Sequence, residues 1–421
     1  MHDFMDYCLR TYFKTIGWND DNQYSNLCSA SRAILDFQTP RGLTFAISKI
    51  QFPLLKASYS MNISPILNGS LGYLFTSRPL KVDPSDHVHF MEMIDRFHIN
   101  YMPKNYPYGN FDNSSDDSKS IGDYLLYGRL FVPTGRLEAI YSRRFSQWMQ
   151  CVVTAVSDPR SKAASHVTTE LQYDVGQWCT ELSYTTDGEL FGMRGLYNFA
   201  SYNQEEINSN SNNEELIVQN KMRKKNNDVK APLVERNVFD VPPESEYDEE
   251  VEALKGEWSI GAELYYGVRE RSGGVSAGIR YRTLPQFSSQ SPLSVTYLIN
   301  PIMGHMSAAF AAQVSDDLAL CPRFDFNMYS YESDLIIGAE WWQRERNEIE
   351  GQSSDDAANK NISSQGEVNG IVKATVGTSR GVTLLWEGKY GKTLFSLGLI
   401  ADLTSRISPI RSIGLQFQYF S

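Results

Sequence analysis

Long hydrophobic runs are absent from this chain of 421 residues, whose apolar side chains occur in short stretches. A membrane-spanning helix requires roughly 20 consecutive apolar residues, so the sequence contains no candidate for one. If the chain crosses a bilayer, it must do so as a closed barrel of strands, because only that fold also satisfies every backbone polar group internally.

Cysteine pairs and a targeting sequence are also absent. The five cysteines are widely spaced and never form a CxxC pattern, which argues against a disulfide framework or a zinc site and favours a reducing compartment. The first 18 residues lack the basic region and apolar core of a secretory signal and are too acidic for a transit peptide. The cysteines are Cys8, Cys28, Cys151, Cys179 and Cys321.

Basic residues do not dominate, since the net charge is -11, and this argues against nucleic acid as a partner. Aromatic residues, in contrast, reach 12% of the sequence, with 24 tyrosines and 21 phenylalanines. Such an excess favours strands.

Catalytic and metal-binding motifs are missing or lack their structural context. There is no Walker A, GxGxxG or HExxH motif. Residues 274–278 match the GxSxG nucleophile elbow, but another alternating strand follows instead of a helix, so Ser276 is interpreted as a strand residue. His87 and His89 have no further ligand at metal-binding spacing, which favours a solvated loop. We therefore predict a protein that is not an enzyme and has no cofactor or metal.

Residues 1–17 place apolar side chains at helical spacing and predict one short amphipathic helix. We expect it to pack against the rest of the protein, and a plug on the inner wall of a barrel is a special case of such packing. The apolar stripe consists of Phe4, Met5, Cys8, Leu9, Tyr12, Phe13 and Ile16.

From Ser31 almost to the last residue the pattern changes to period two, which is typical of strands. Residues 257–268 alternate between an apolar and a polar face, and after a turn at 272–274 the next segment repeats the scheme. We count about 18 to 20 such segments of roughly ten residues, the length of a tilted membrane strand. Short turns join many of them, as in an up-and-down barrel.

The polar face carries charges that a dry core could not bury unpaired but that a wet lumen accommodates. The apolar face would then contact lipid, with aromatic residues at strand ends forming an interfacial girdle. The predicted fold is therefore an all-β transmembrane barrel formed by residues 1–421 as a single domain. The charged residues include Glu263, Arg280, Arg282, Arg323, Asp325, Glu340, Glu387, Lys389 and Asp402, and the girdle includes Trp178, Trp258, Trp341, Trp342, Trp386 and Tyr390.

Three polar segments interrupt the strands, and residues 77–121, 201–255 and 344–368 are predicted to be long flexible loops. The second of them runs from the basic KMRKK at 221–225 into an acidic stretch at 244–252. We interpret this charge run as a solvated surface, with contact to a partner or to lipid headgroups as the alternative.

The last strand fits the mitochondrial β-signal, in which a polar residue is followed by glycine two positions on and by two hydrophobic residues. Here these are Ser412, Gly414, Phe417 and Tyr419, and the strand ends close to the C-terminus of the sequence. Gly414 is expected to permit close approach of another strand, while Phe417 and Tyr419 point into lipid.

With these segments the chain resembles the fungal mitochondrial distribution and morphology barrel family, the porin-like subunit of the ER–mitochondria encounter structure. The resemblance covers most of the strand-forming chain and is strongest after about residue 257. It is carried by SRAILDF (31–37), NGSLGYLF (68–75), NPIMGHMS (300–307), RFDFNMYSYESDLIIGAEWW (323–342), LLWEGKY (384–390) and IGLQFQYFS (413–421).

The resemblance implies a barrel of about nineteen strands in the mitochondrial outer membrane, an odd count that pairs the first and last strands in parallel. It implies a scaffold that anchors the ER–mitochondria tethering and lipid-transfer complex and helps to assemble outer-membrane barrels through the sorting and assembly machinery. The implied partners are membrane lipids, a soluble lipid-transfer subunit, an ER membrane subunit, a peripheral subunit, and the assembly barrel with its accessory subunits.

Three aromatic residues, Tyr73, Phe75 and Phe310, are candidates for lateral contacts with a partner, although an outward aromatic is also expected simply to face lipid. Gly69 and Gly72 beside the first two would permit close approach.

Two other functions remain open at this point. A porin-type or protein-import channel would require a lumen that the N-terminal helix and the loops leave empty. A soluble all-β enzyme acting on carbohydrate with two strand carboxylates is the competitor from another class. Against it stands the apolar face of nearly every strand, because a soluble protein would leave that surface exposed to water.

Overall fold

The computed structural model describes residues 1–99, 122–160, 165–199, 256–283, 291–344, 368–379, 381–402 and 409–421. These residues form two α-helices, α1 (Phe4–Ile16) and α2 (Ser29–Leu35), and 3₁₀ turns at Tyr24–Asn26 and Phe90–Glu92. The strands are β1 (Gly42–Ile50), β2 (Leu55–Ser64), β3 (Asn68–Thr76), β4 (Tyr124–Val132), β5 (Leu137–Arg144), β6 (Met149–Ser157), β7 (His166–Asp174), β8 (Trp178–Thr185), β9 (Leu190–Phe199), β10 (Gly256–Gly267), β11 (Ser272–Thr283), β12 (Leu293–Asn300), β13 (His305–Ser315), β14 (Leu318–Asn327), β15 (Ser333–Arg344), β16 (Val368–Gly377), β17 (Gly381–Tyr390), β18 (Thr393–Ala401) and β19 (Ile410–Phe420).

The strands form one closed sheet. Each pairs with the next in chain order in antiparallel fashion, from β1 and β2 to β18 and β19. β1 and β19 pair in parallel, with Gly42 opposite Gly414 and Ser48 opposite Phe420, and this pairing closes the barrel. The predicted all-β barrel of nineteen strands with a short N-terminal helix is confirmed.

Period-two alternation in the sequence becomes the two faces of the wall. In β10, Trp258, Ile260 and Leu264 are exposed on the outside, while the alternating residues Glu257 and Ser259 are buried on the inside. The outer face is apolar along the whole strand. One strand therefore contributes to two surfaces of opposite chemistry, as a barrel in lipid requires.

The two ends of the barrel differ in their connections. Because neighbouring strands alternate in direction, the connections from β3 to β4, from β9 to β10 and from β15 to β16 all lie at one end. These connections contain the three predicted loops, and we call this end the long-loop end and the opposite one the short-turn end. Residues 100–121, 200–255 and 345–367, which make up most of those loops, lie outside the described residues.

The first part of the predicted loop 77–121 is packed instead of exposed. Within residues 77–99, which we call the inner loop, several apolar side chains are buried in the same cluster as α1. Its polar composition had favoured a flexible loop, but six of its apolar residues are buried in this cluster. They are Leu80, Val82, Val88, Phe90, Met93 and Ile94.

The expectation that strands begin at Ser31 is wrong. Residues 29–35 form α2, and the first strand begins only at Gly42. Ser31, Ile34 and Leu35 are buried at the i, i+3, i+4 spacing of a helix face. No helix among the described residues has the length and apolar composition to cross a membrane.

Candidate functional site: the filled lumen and the strand seam

The lumen contains two stretches of chain, residues 1–41 and the inner loop, which together we call the plug. On α1, Phe4, Cys8 and Tyr12 are at most 1% exposed, because the apolar stripe lies between the inner loop and the wall. The stripe thus packs on the barrel interior, as a plug would. Wall residues of this cluster are Leu74, Leu125, Trp342, Val368, Ile371, Leu394 and Phe420.

Residues 16–26 bind the wall through polar groups. The Arg144 guanidinium donates a hydrogen bond to the carbonyl of Ile16, at the C-terminal end of α1. Asn22 donates from Nδ2 to Oδ1 of Asp174 at 2.6 Å, and its own Oδ1 accepts from Nδ2 of Asn198 at 2.6 Å. The plug therefore supplies hydrogen-bond partners to buried polar side chains on β5, β7 and β9.

A buried ion pair on neighbouring strands holds both stretches of the plug. Nζ of Lys373 on β16 lies 3.6 Å from Oε2 of Glu340 on β15, and both side chains are almost fully buried. Lys373 also donates to the carbonyl of Ala33 in α2 at 2.7 Å and to that of Asp95 in the inner loop. Glu340 accepts from the Phe97 amide at 3.2 Å. These contacts satisfy the pair, which alone would be costly to bury.

Trp342 corrects one detail of the predicted aromatic girdle. It is only 7% exposed, faces the lumen and donates from Nε1 to Oε1 of Glu340 at 2.5 Å. Its neighbour Trp341 does lie on the outside, at 53% exposed. Successive side chains of a strand point to opposite faces, so Trp341 and Trp342 cannot both lie on the outside.

A second polar cluster lies around Arg194 on β9. Its guanidinium contacts Glu170 at 2.9 Å, Glu181 at 3.4 Å and Glu263 at 2.8 Å. Ser276 donates to Glu263 at 3.1 Å and lies 2.8 Å from the hydroxyl of Tyr24 in the plug. Ser276 is thus a strand residue that connects plug and wall, and a cavity of about 300 Å³ lies beside it.

Nucleophiles and metal ligands do not assemble into a reactive centre in the described part of the chain. Burial raises the pKa of the Cys8 thiol to about 12, so it stays protonated at physiological pH. The described residues contain no group of three or more His, Cys, Asp or Glu side chains placed to hold a metal ion.

The residues of the predicted β-signal lie on β19, beside the parallel seam with β1. Phe417 is opposite Phe45, and the two rings stack with centroids 5.5 Å apart. Tyr419 faces outward and is exposed, whereas Ser412 and Gly414 lie on the inner face. The seam thus has an aromatic contact on the outside.

Position 414 must be glycine because the segment that connects the plug to β1 passes directly beside it. A Cβ atom there would lie 2.1 Å from the carbonyl oxygen of Pro40 and 2.7 Å from the amide nitrogen of Arg41. On the neighbouring strand, Gly398 would meet Pro40 and Thr39 side chains at 2.8 and 2.9 Å. The close approach predicted at Gly414 therefore comes from the plug segment entering β1, and the sequence analysis missed Gly398 as its second half.

The three aromatic candidates for partner contacts all face outward. Tyr73 and Phe75 are exposed on β3, where the Tyr73 ring packs edge-on against Tyr59 with centroids 6.4 Å apart. Phe310 is exposed on β13, ten strands further along the wall. Tyr73 and Phe75 thus share one face of the barrel, and Phe310 lies on a separate face.

Comparison with known proteins agrees with this fold. The family model described as Mitochondrial distribution and morphology protein 10 matches residues 1–369. The chain is 40% identical to the protein of that name from Postia placenta and 40% identical to that from Coprinopsis cinerea, in each case over 100% of both chains. The relative from Phaeosphaeria nodorum is 36% identical, again over 100% of both chains. Together with the nineteen-stranded barrel, these matches show that the chain belongs to the mitochondrial distribution and morphology protein 10 family.

Proposed function

We propose that this chain is a mitochondrial outer-membrane scaffold. It anchors a complex that tethers the endoplasmic reticulum to mitochondria and transfers lipid, and it helps to assemble outer-membrane barrels through the sorting and assembly machinery. The names of its relatives support a role in mitochondrial distribution and morphology. The proposed partners are the soluble lipid-transfer, ER membrane and peripheral subunits of the tether, and the assembly barrel with its accessory subunits.

The filled lumen is the observation that carries the proposal. Barrels of 16–18 strands leave an aqueous channel when nothing fills them. Here the plug contacts wall residues on strands from β3 to β19, such as Leu74, Asp174, Arg323 and Phe420. A barrel whose interior is occupied acts through its outer surface and its ends, and it has no catalytic role in this proposal.

A porin-type or protein-import channel is the alternative. Cavities of about 300 and 440 Å³ remain beside the plug, near Tyr24 and Phe37. They are local spaces lined by both plug and wall. Because the ion pair of Lys373 and Glu340 fixes the plug from two sides, passage would require that buried contact to break.

Two separate outer faces support the proposal that the barrel joins more than one partner. Tyr73 and Phe75 offer an aromatic surface near the seam, and Phe310 offers one on β13. Large aromatic side chains are enriched at the energetic centres of protein interfaces. We propose that each face contacts a different complex, so that tethering and assembly can be separated by mutation.

The test is blue-native electrophoresis of fungal mitochondria that express a tagged chain, after carbonate extraction. We expect the wild type to resist extraction and to migrate in two complexes of different size. The variant Tyr73→Ala with Phe75→Ala should lose one complex, and Phe310→Ala should lose the other. Phe191→Ala, an outward aromatic on β9, is the matched control and should retain both.

Extraction of the wild type as a soluble monomer would contradict a membrane scaffold. Loss of both complexes in all three variants, with loss of the protein itself, would show that these aromatic residues only stabilise the fold. Bands that stay unchanged in every variant would remove the two faces from the proposal.

A further inference from the structure

The seam between β1 and β19 opens at its short-turn end. The parallel ladder begins at the pair Gly42 and Gly414, although β19 starts four residues earlier, at Ile410. The backbone groups of residues 410–413 that point toward β1 therefore have no strand partner in the part of the chain that the structure describes. An unpaired strand edge in a membrane protein is unfavourable unless a polar group reaches it.

Two β-bulges lie at this end of the seam. On one side, Ile400 pairs with Ser412 and Ala401 with Ile410, so Arg411 is left as the extra residue of β19. On the other side, Leu43 pairs with Ser64 and Thr44 with Asn62, so β2 bulges there as well. Bulges re-aim side chains and interrupt pairing next to functional sites.

A cavity of about 620 Å³ lies between these bulges. Its lining combines two arginines, Arg41 and Arg411, with the hydroxyl-bearing Ser64 and Ser412 and with the apolar Ile400 and Ile413. We call it the seam cavity. It contains no acidic lining residue among the described ones, in a chain whose net charge is -11.

The two arginines line the same cavity because β1 and β19 are the parallel pair of the barrel. Gly42 lies opposite Gly414, so Arg41 enters the wall beside Ile413, and Arg411 lies two residues before Ile413. Both arginines are exposed. Arg411 forms a long ion pair of 3.7 Å with Asp402, and 68% of its side chain remains exposed. In an antiparallel pair, residues that precede two strands would lie at opposite ends.

Apolar residues continue directly from the arginines along the outer wall. On β19 the outward series after Arg411 is Ile413, Leu415, Phe417 and Tyr419, and on β1 the series after Arg41 is Leu43, Phe45 and Ile47. A pair of cations at the strand ends, above an apolar surface, complements the anionic phosphate and the acyl chains of a phospholipid that lies upright against the wall. Guanidinium groups bind phosphate oxygens in bidentate fashion.

We propose that the seam cavity binds an anionic phospholipid, with its phosphate on Arg41 and Arg411 and its acyl chains along the outer faces of β1 and β19. The proposal rests on the membrane placement given under the proposed function. It does not depend on which protein partners the barrel has. The lipid would cover the unpaired strand edge at 410–413.

The test uses the purified full chain in a zwitterionic detergent, titrated with phosphatidylglycerol and separately with phosphatidylcholine, and read by native mass spectrometry. We expect one phosphatidylglycerol to bind in saturable fashion and phosphatidylcholine to bind more weakly. Arg41→Gln or Arg411→Gln alone should weaken binding about fivefold, and the double variant about twentyfold. Arg269→Gln, an exposed arginine in the β10–β11 turn at the same end, is the control and should change nothing.

Equal binding of the two lipids, or a double variant that binds as the wild type does, would overturn the proposal. Complete displacement of phosphatidylglycerol by an equal concentration of inorganic phosphate would overturn it too, because a free anion would then be the ligand. Substitution of both arginines by lysine keeps the charge but loses the bidentate bonds, so binding should lie between that of the wild type and that of the double glutamine variant. Since the protein is purified, failure here is distinct from loss of the complexes in mitochondria.

Discussion

The inner and outer faces of the wall are formed by the same strands, but they place different requirements on their residues. On β10, Leu264 faces lipid with no specific partner required, whereas Glu263 next to it bonds Arg194, which also holds two other carboxylates. Outer positions need only be apolar, while inner positions need a particular neighbour, often from the plug. We therefore expect the stability cost of an inner substitution to depend on the partner that is lost, and the cost of an outer substitution to depend on its depth in the membrane.

The largest effect is expected for Lys373→Met. This change leaves Glu340 buried without its cation and removes two bonds to the plug, which should lower the free energy of unfolding by about 3–5 kcal/mol. The measurement is denaturant unfolding of the barrel refolded in detergent micelles. Lys49→Met, on the exposed outer face of β1, is the matched control and should change stability by less than about 0.5 kcal/mol. Equal effects of the two changes would contradict the distinction between the faces.

On the outer face, Ile260→Arg should be nearly as damaging for a different reason. Ile260 is exposed near the middle of β10, where a charge facing lipid costs about 2–4 kcal/mol. Val268→Arg, beyond the end of the same strand, should cost about 1 kcal/mol or less. Unfolding free energies measured in lipid vesicles test this dependence on depth, and two equal costs would argue against a membrane location for β10.

Gly414→Ala is the next prediction. The added Cβ would overlap the Pro40 backbone, so the seam or the plug must shift, at about 1–3 kcal/mol. Gly195→Ala, on the outer face of β9 with no atom within 4 Å of the new Cβ, is the control. The two variants are compared by denaturant unfolding and by the heat-dependent electrophoretic mobility of the folded barrel. A stable Gly414→Ala variant would mean that the plug does not enter the wall at this glycine.

The smallest effect concerns the ring pair of the seam. A double-mutant cycle of Phe45→Leu and Phe417→Leu should give a coupling free energy of about 1 kcal/mol, since stacked aromatic pairs contribute beyond their buried area. Unfolding of the four proteins provides the cycle. A coupling of zero would indicate that the contact between the two rings does not stabilise the seam.

Sequence periodicity predicted the wall well because the alternation within each strand is enough to identify its inner and outer residues. The alternation around Trp258 and Ile260 and the small residue at Gly414 needed no knowledge of distant residues. Strand number was accessible only through the family resemblance, since weakly alternating segments can be divided in more than one way.

Contents of the lumen were harder to predict because they depend on contacts between distant parts of the chain. The inner loop has the polar composition of a flexible segment, yet Val88 and Met93 are buried against α1. Glu340 was predicted only as one more lumen charge, and the fold alone shows that it pairs with Lys373, which bonds Ala33 and Asp95. An inward charged residue flanked by apolar neighbours was the available signal, but it does not identify a partner.

Planar-bilayer recording of the purified full chain tests the central claim most directly. A barrel filled by its plug should show no stable open-channel conductance. Deletion of residues 1–36 removes α1 and α2, and with them the packing partners of the inner loop, so it should produce a conductance because a lumen of nineteen strands is wide enough for water. Stable conductance by the wild type, equal to that of the deletion variant, would contradict the account and favour a channel.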